Sequence, residues 1–151
     1  LNKSIYSLLD LPSKVEYALL ALLEMAMRFN QQTPLTVSEI TARQPIPERY
    51  LEQILGTLRR GGLLKSQRGF GGGYLLARDP SQISLLDIVT LIEGERKAEQ
   101  QGEFPTIEVR LIREGWQQAN IAAQTVLAQC SLADLCKQRQ QYLQTSLMYY
   151  I

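Results

Sequence analysis

The residue types that carry most protein chemistry are scarce in this sequence. None of its 151 residues is histidine, so the commonest general base and metal ligand are missing. No serine or cysteine therefore has an imidazole to activate it as a nucleophile. Carboxylates such as Glu93 and Glu95 stand among polar neighbours and read as solvated surface acids. The two cysteines, Cys130 and Cys136, are spaced more widely than the usual zinc pair, and no second pair completes a site. On one helix they would face different ways. Cys136 falls on an apolar stripe with Leu132 and Leu135, which suits a thiol acting as a small hydrophobe. The run Gly69-Phe70-Gly71-Gly72-Gly73-Tyr74 departs from the dinucleotide-binding pattern at its last position. It also lies between two predicted strands, and no Gly-Lys-Ser/Thr follows it. The expectation is a protein that is not an enzyme.

Charge is the remaining chemistry. Between Arg43 and Arg78 stand seven basic residues (Arg43, Arg49, Arg59, Arg60, Lys65, Arg68 and Arg78) and two acids (Glu48 and Glu52), a net +5. The whole chain is +1, which leaves −4 for the rest. A nearly neutral protein with its positive charge gathered in one segment carries the electrostatic footprint of a polyanion binder.

That segment also has a definite layout. Pro47 can open a helix, and Tyr50, Leu51, Ile54, Leu55 and Leu58 recur at helical spacing until Gly61 and Gly62 stop it. Leu63 to Gln67 and Tyr74 to Ala77 suit two short strands, and Arg68 to Gly73 is the turn between them. Before this unit, Ser13 and Glu16 form a capping-box pattern opening a helix that should end near Phe29 and Asn30. Val15, Ala18, Leu19, Leu22, Leu23 and Ala26 line its apolar face. Thr36 and Glu39 form a second box, with a short helix ending before Pro45. Two short helices joined through Gln44-Pro45-Ile46 make a helix-turn-helix, and the glycine-rich hairpin after it is a wing.

Beyond Asp79-Pro80, Ser84 and Asp87 cap a fourth helix ending at Gly94. The polar residues 95–105 read as a linker. From Thr106 a long helix runs to about Gln129. Its residues Val109, Ile112, Trp116, Ala119, Ala123 and Val126 alternate by three and four, a seam for another helix. Ser131 and Asp134 cap a last helix. The fold class expected is mainly α with a small β-hairpin. A winged helix-turn-helix DNA-binding domain would span 11–94, a linker loop 95–105, and a dimerisation helix with a C-terminal helix 106–151.

The longest apolar run, Ala18 to Met27, is too short for a membrane span and is broken by Glu24. The N-terminal LNKSIYSLLDL lacks the features of a signal peptide, so a cytoplasmic location is expected.

These stretches together resemble the Rrf-two family of bacterial transcription regulators, with its IscR, NsrR and CymR types. The resemblance is carried by Lys14 with Tyr17-Ala18-Leu19, by Tyr50 to Leu55, and by Leu58 to Leu63. Ser66-Gln67-Arg68-Gly69-Phe70-Gly71-Gly72-Gly73-Tyr74 is its most specific part, and Ile83 to Gly94 and Ser131 to Leu135 extend it. It implies a winged helix-turn-helix, a homodimer held by the long helix, and partly palindromic operators on double-stranded DNA. Many members hold an iron–sulfur cluster with three cysteines between the fourth helix and the long helix, some with a carboxylate from the first helix. Here that loop has no cysteine, and Cys130 and Cys136 lie beyond the long helix. Glu16 stands at the carboxylate position. No cofactor is expected, and a cluster would have to be held by Cys130, Cys136 and Glu16.

Bases are expected to be read by Glu48, Arg49, Glu52 and Gln53, early in the recognition helix. Tyr50, Arg59, Arg60 and Lys65, with Lys14, are suited to phosphates, and Arg68 to the minor groove. Two alternatives stay open. One is a regulator that senses redox state through a cluster or thiols with atypical ligands. The other is a winged helix that binds proteins and no DNA.

Overall fold

A computed structural model describes residues 7–69, 71–94 and 104–149. Glu95, Phe70 and most of the expected linker lie outside them. The described elements are α1 (Ser13–Ala26), α2 (Val37–Arg43), α3 (Glu48–Arg60), β1 (Leu64–Gln67), β2 (Gly73–Leu76), α4 (Leu85–Glu93), α5 (Ile107–Gln129) and α6 (Leu132–Tyr149), with short 3-10 turns at Phe29–Gln31 and Pro80–Gln82. The fold is mainly helical with one antiparallel hairpin, as the sequence leads one to expect.

Helix α1 runs through the middle and packs against α3, α4, α6 and β2. Val15, Ala18, Ala21 and Leu22 are fully enclosed on it, and Leu51, Leu55 and Leu58 of α3 share one core with Ala18, Ala21 and Leu22. At about 25 cal/mol per Å² of apolar surface, each such leucine stabilises the fold by roughly 1.5–3 kcal/mol.

The start of α1 differs from expectation. Pro12 occupies the capping position with extended backbone, no side chain caps the helix, and the amide of Glu16 donates to the Pro12 carbonyl at 3.0 Å. Ser13 is thus already inside the first turn, where its hydroxyl cannot serve the amide three residues on, and Glu16 is an exposed helical residue. The helix also stops at Ala26, and Phe29–Gln31 forms a separate turn closed by Gln32 at φ 52°. The other capping boxes form. Thr36 accepts from the amide of Glu39 at 3.2 Å, Ser84 from Asp87 at 3.0 Å, and Ser131 from Asp134 at 3.1 Å.

The hairpin pairs Leu64 with Leu76 through to Gln67 with Gly73. A contact absent from the sequence reading joins it: Leu35 and Tyr74 exchange backbone hydrogen bonds at 3.0 and 2.8 Å. Leu35 lies between Pro34 and the capping Thr36, so it reads as part of a helix entry and not as a strand. Gly73 makes the contact feasible. Its φ is +145°, and a Cβ there would lie 2.5 Å from the Leu35 carbonyl oxygen.

The caps of α4 and α6 are tied together. The amide of Leu85 donates to the Cys130 carbonyl at 2.9 Å and that of Leu132 to the Ile83 carbonyl at 2.9 Å. Leu132 is enclosed in the central core, with Cys136 half-buried against it. Cys130 is the last residue of the α5 side of this junction, not a residue of α6. The cap at Ser131 starts α6 after Cys130, so the two cysteines do not share one helix.

Candidate nucleic-acid interface

Helix α3 is divided sharply into two faces. Leu51, Ile54, Leu55 and Leu58 are buried, while Glu48, Arg49, Tyr50, Glu52, Gln53, Arg59 and Arg60 are exposed. With 3.6 residues per turn, Arg49, Gln53, Gly56 and Arg60 fall in one line down the middle of the outward face. Glu48, Glu52 and Arg59 flank that line on one side, and Tyr50 and Thr57 on the other. The small Gly56 leaves space beside Arg60, since a Cβ there would approach its guanidinium at 3.3 Å.

Two residues outside the expected set organise this face. The Thr57 hydroxyl donates to the Gln53 carbonyl at 3.1 Å and accepts from Arg60 at 3.4 Å, which holds the Arg60 side chain along the helix. The ring of Tyr17 stacks on Tyr50 with centroids 6.4 Å apart and planes 28° from parallel. Tyr50 remains 43% exposed, so one part of its ring is anchored by α1 and another is free to touch a partner. The signals in sequence are the four-residue spacing of Gln53 and Thr57 and the pairing of two tyrosines on facing helices; only the second needs the fold to be seen.

Lys14 joins the same surface. A shallow groove of 370 Å³ is lined by Lys14 of α1, by Tyr50, Gln53, Thr57 and Arg60 of α3, and by Ile92 of α4. Glu52 lines it as well, so three of the expected phosphate-contacting residues and two of the base readers meet around one concavity. Lys65 is exposed on β1, opposite Leu75 in the ladder. Arg68 is exposed at the mouth of the turn, where Gly69 and Gly71 take φ of 96° and 78°. Left-handed glycines close the turn tightly and let the Arg68 side chain project.

The long helix carries a different kind of surface. None of the 23 residues of α5 is buried. Ile112, Trp116 and Val126 of the expected seam are 68, 69 and 65% exposed, Ala119 is exposed, and Val109 and Ala123 are half-buried. Exposed apolar groups in a row on one helix are an unmet demand for burial.

Both thiols are partly enclosed. Burial pushes the Cys130 thiol up, with the Asp134 carboxylate adding to the rise. Burial also pushes the Cys136 thiol up, opposed in part by Arg139. Among the described residues no three His, Cys, Asp or Glu side chains gather where a metal ion could be held. Nor is any described helix long and apolar enough to cross a membrane.

Comparison with known proteins agrees with this architecture. The family model for Rrf2, described as an iron-dependent transcriptional regulator, matches residues 11–138. The HTH-type transcriptional regulator IscR of Serratia proteamaculans is 42% identical over 83 residues, 55% of this chain and 50% of that protein. The chain spans about half the length of the curated relatives it matches. The solved structure of T. potens IscR superposes with TM-score 0.76 at 32% identity, covering 89% of this chain and 90% of that one. The structure of CymR, the global cysteine regulator of B. subtilis, gives TM-score 0.76 at 32% identity over 86% and 98%. These relatives are transcriptional regulators, not enzymes. The iron of the family description does not fit the donors of one chain here. The two cysteines stand at the α5–α6 junction and on α6, Glu16 is exposed on α1, and among the described residues no three donors gather. By its matched length and its superposition on solved regulators, the chain belongs to the Rrf2 family.

Proposed function

We propose that this chain is a sequence-specific DNA-binding transcription regulator, working in the cytoplasm as a homodimer on partly palindromic operators. The observation that carries the reading is the outward line of Arg49, Gln53 and Arg60 on a helix whose opposite face is buried. Basic wing residues Lys65 and Arg68 lie just beyond it in the chain. A helix of this kind enters the major groove, with its first turns at base edges and its basic residues at phosphates. Glu48, Arg49, Glu52 and Gln53 are the base readers of this proposal. Lys14, Tyr50, Arg59, Arg60 and Lys65 are its phosphate contacts, and Arg68 enters the adjacent minor groove. Residues 11–94 form the DNA-binding unit, 95–105 the linker, and 106–151 the dimerisation unit, docked on the first through Leu132.

The test is binding to duplex DNA across a salt series. Counterion release predicts a log–log slope of about −0.9 per phosphate neutralised. An affinity indifferent to salt would favour a protein-binding winged helix instead.

A cluster held in the manner the family resemblance implies is not part of this proposal, because two thiols per chain, with no group of three donors among the described residues, make a poor donor set for iron and sulfide. Protein purified anaerobically is expected to contain iron and sulfide far below stoichiometry and to lack charge-transfer bands. Stoichiometric iron whose bands vanish in both Cys130→Ala and Cys136→Ala would establish the redox-sensing alternative.

A further inference from the structure

Glu24 is the sole carboxylate enclosed in the described core, 4% exposed in the apolar second half of helix α1. Its carboxylate oxygens are held from three sides. Gln44 Nε2 donates to Oε1 at 2.8 Å, and Arg28 and Arg43 guanidiniums lie 3.3 and 3.8 Å from Oε2. Arg28 also donates to the Glu24 backbone carbonyl at 2.9 Å. A buried carboxylate is costly unless paired and hydrogen-bonded, and this one is both. Yet the pairing leaves charge over. Arg139 of α6 lines the same cleft and has no carboxylate partner among the described residues. Three arginines and one carboxylate line an open cleft of 590 Å³ between the ends of α1 and α2 and the side of α6, a net +2. That volume suits a metabolite-sized ligand.

We propose that this cleft is a binding site for a small multivalent anion bearing carboxylate or phosphate groups. Glu24 fixes Arg28 through two hydrogen bonds and draws Arg43 in by charge, so the N–H groups of Arg28 are presented without the loss of side-chain freedom a ligand would otherwise have to impose. Arg139 closes the site from α6, and Gln31 and Gln44 offer neutral hydrogen bonds. Planar guanidinium forks match the oxygens of such anions, while a single chloride satisfies only one of them. Arg43 and Gln44 lead through Pro45-Ile46-Pro47 directly into α3. Occupancy therefore bears on the recognition helix and is a route for a chemical signal to reach DNA. That coupling rests on the function proposed above; the binding itself does not.

Titration calorimetry of the full chain with citrate, and separately with inorganic phosphate, tests the site. Saturable binding of at least one is expected with Kd of ~1 mM or tighter. Preference for citrate would assign organic polycarboxylates, and preference for phosphate would assign phosphorylated ligands. Arg139 is exposed, so Arg139→Glu should fold normally by circular dichroism and weaken binding roughly tenfold or more. Lys137→Glu makes the same charge change two residues away, outside the cleft, and should bind within about twofold of wild type. Absence of saturation with either anion by ~10 mM, or equal affinity of Arg139→Glu and wild type, would overturn the site. Saturation should also change affinity for DNA; failure of that arm alone would leave the anion site standing and remove only its link to α3.

Discussion

Gln53 and Arg60 share one exposed line on α3 but differ in chemistry, and the difference separates specificity from affinity. An amide can pair with a base edge in two-point fashion, and a guanidinium near the helix end meets phosphate. Gln53→Ala is expected to cost roughly 1–3 kcal/mol at one operator position and little on unrelated duplex. Arg60→Ala should weaken every duplex alike and flatten the salt slope by about one. Binding isotherms on operator and scrambled DNA decide this; equal losses for Gln53→Ala on both would end its base-reading role. The cysteines make a second prediction at this scale. A thiol raised above the ordinary 9.0 stays protonated at neutral pH. Iodoacetamide should therefore alkylate Cys130 and Cys136 more slowly than free cysteine, with rates climbing only in alkali. The linkage has a definite sign. The unfolded chain gives up these protons first, so the stability from neutral thiols is full below the unfolded pKa and is lost as pH rises through the folded one. Neutral-pH alkylation as fast as that of glutathione, followed by mass spectrometry, would contradict the burial.

The wing depends on an element contact that its own sequence barely records. The hairpin leans on Leu35 through two backbone hydrogen bonds, and Gly73 stands where a side chain would meet that carbonyl. Gly73→Ala adds one methyl group at a positive φ against backbone that cannot yield cheaply. A loss of roughly 1–3 kcal/mol is expected from the strain, read as a lower urea midpoint. DNA affinity should fall as well, because the Arg68 turn is launched from this strand pair. An unchanged midpoint would mean that Leu35 moves aside and does not brace the wing. At the other end of the fold, Ser131 joins α6 to Ile83 and Leu85 through the paired caps. Ser131→Ala should cost about 1 kcal/mol, a typical loss for a capping hydroxyl, in the same denaturation measurement.

For the homodimer proposed above, the surface to test is α5. Its seam of Ile112, Trp116 and Val126 lies open in one chain, and Ala119 and Ala123 would let a second backbone come close. A carboxylate at Ala123 would have to shed its water inside that contact. Ala123→Glu should give monomers by light scattering while circular dichroism stays unchanged, and operator affinity should drop because two half-sites are no longer bound together. Trp116 is the only tryptophan in the chain and supplies an internal reporter. Its emission should shift to shorter wavelength as wild-type protein is concentrated and should not shift in Ala123→Glu. A variant that stays dimeric would move the interface off this helix.

Most of the architecture was readable in advance because it rests on local rules. The spacing of Leu51, Ile54, Leu55 and Leu58 determines which face of α3 turns inward, and the pairs Thr36–Glu39, Ser84–Asp87 and Ser131–Asp134 determine three helix starts. Absence of histidine and the concentration of positive charge around the hairpin also belong to the sequence alone. The first capping box shows where a local rule fails. Ser13 and Glu16 have the right types and spacing, but the helix begins at Pro12, and a box is defined by the capping residue's extended backbone, not by its letters. Contacts between distant residues needed the folded chain. Leu35 beside Tyr74, Tyr17 on Tyr50, Lys14 at the α3 groove, and Arg139 beside Glu24 are each separated by dozens of residues or lie on different helices. In the sequence Glu24 is only a charge interrupting an apolar run. It becomes the centre of the proposed site once folding buries it at the floor of the cleft with Gln44, Arg28 and Arg43 as its partners.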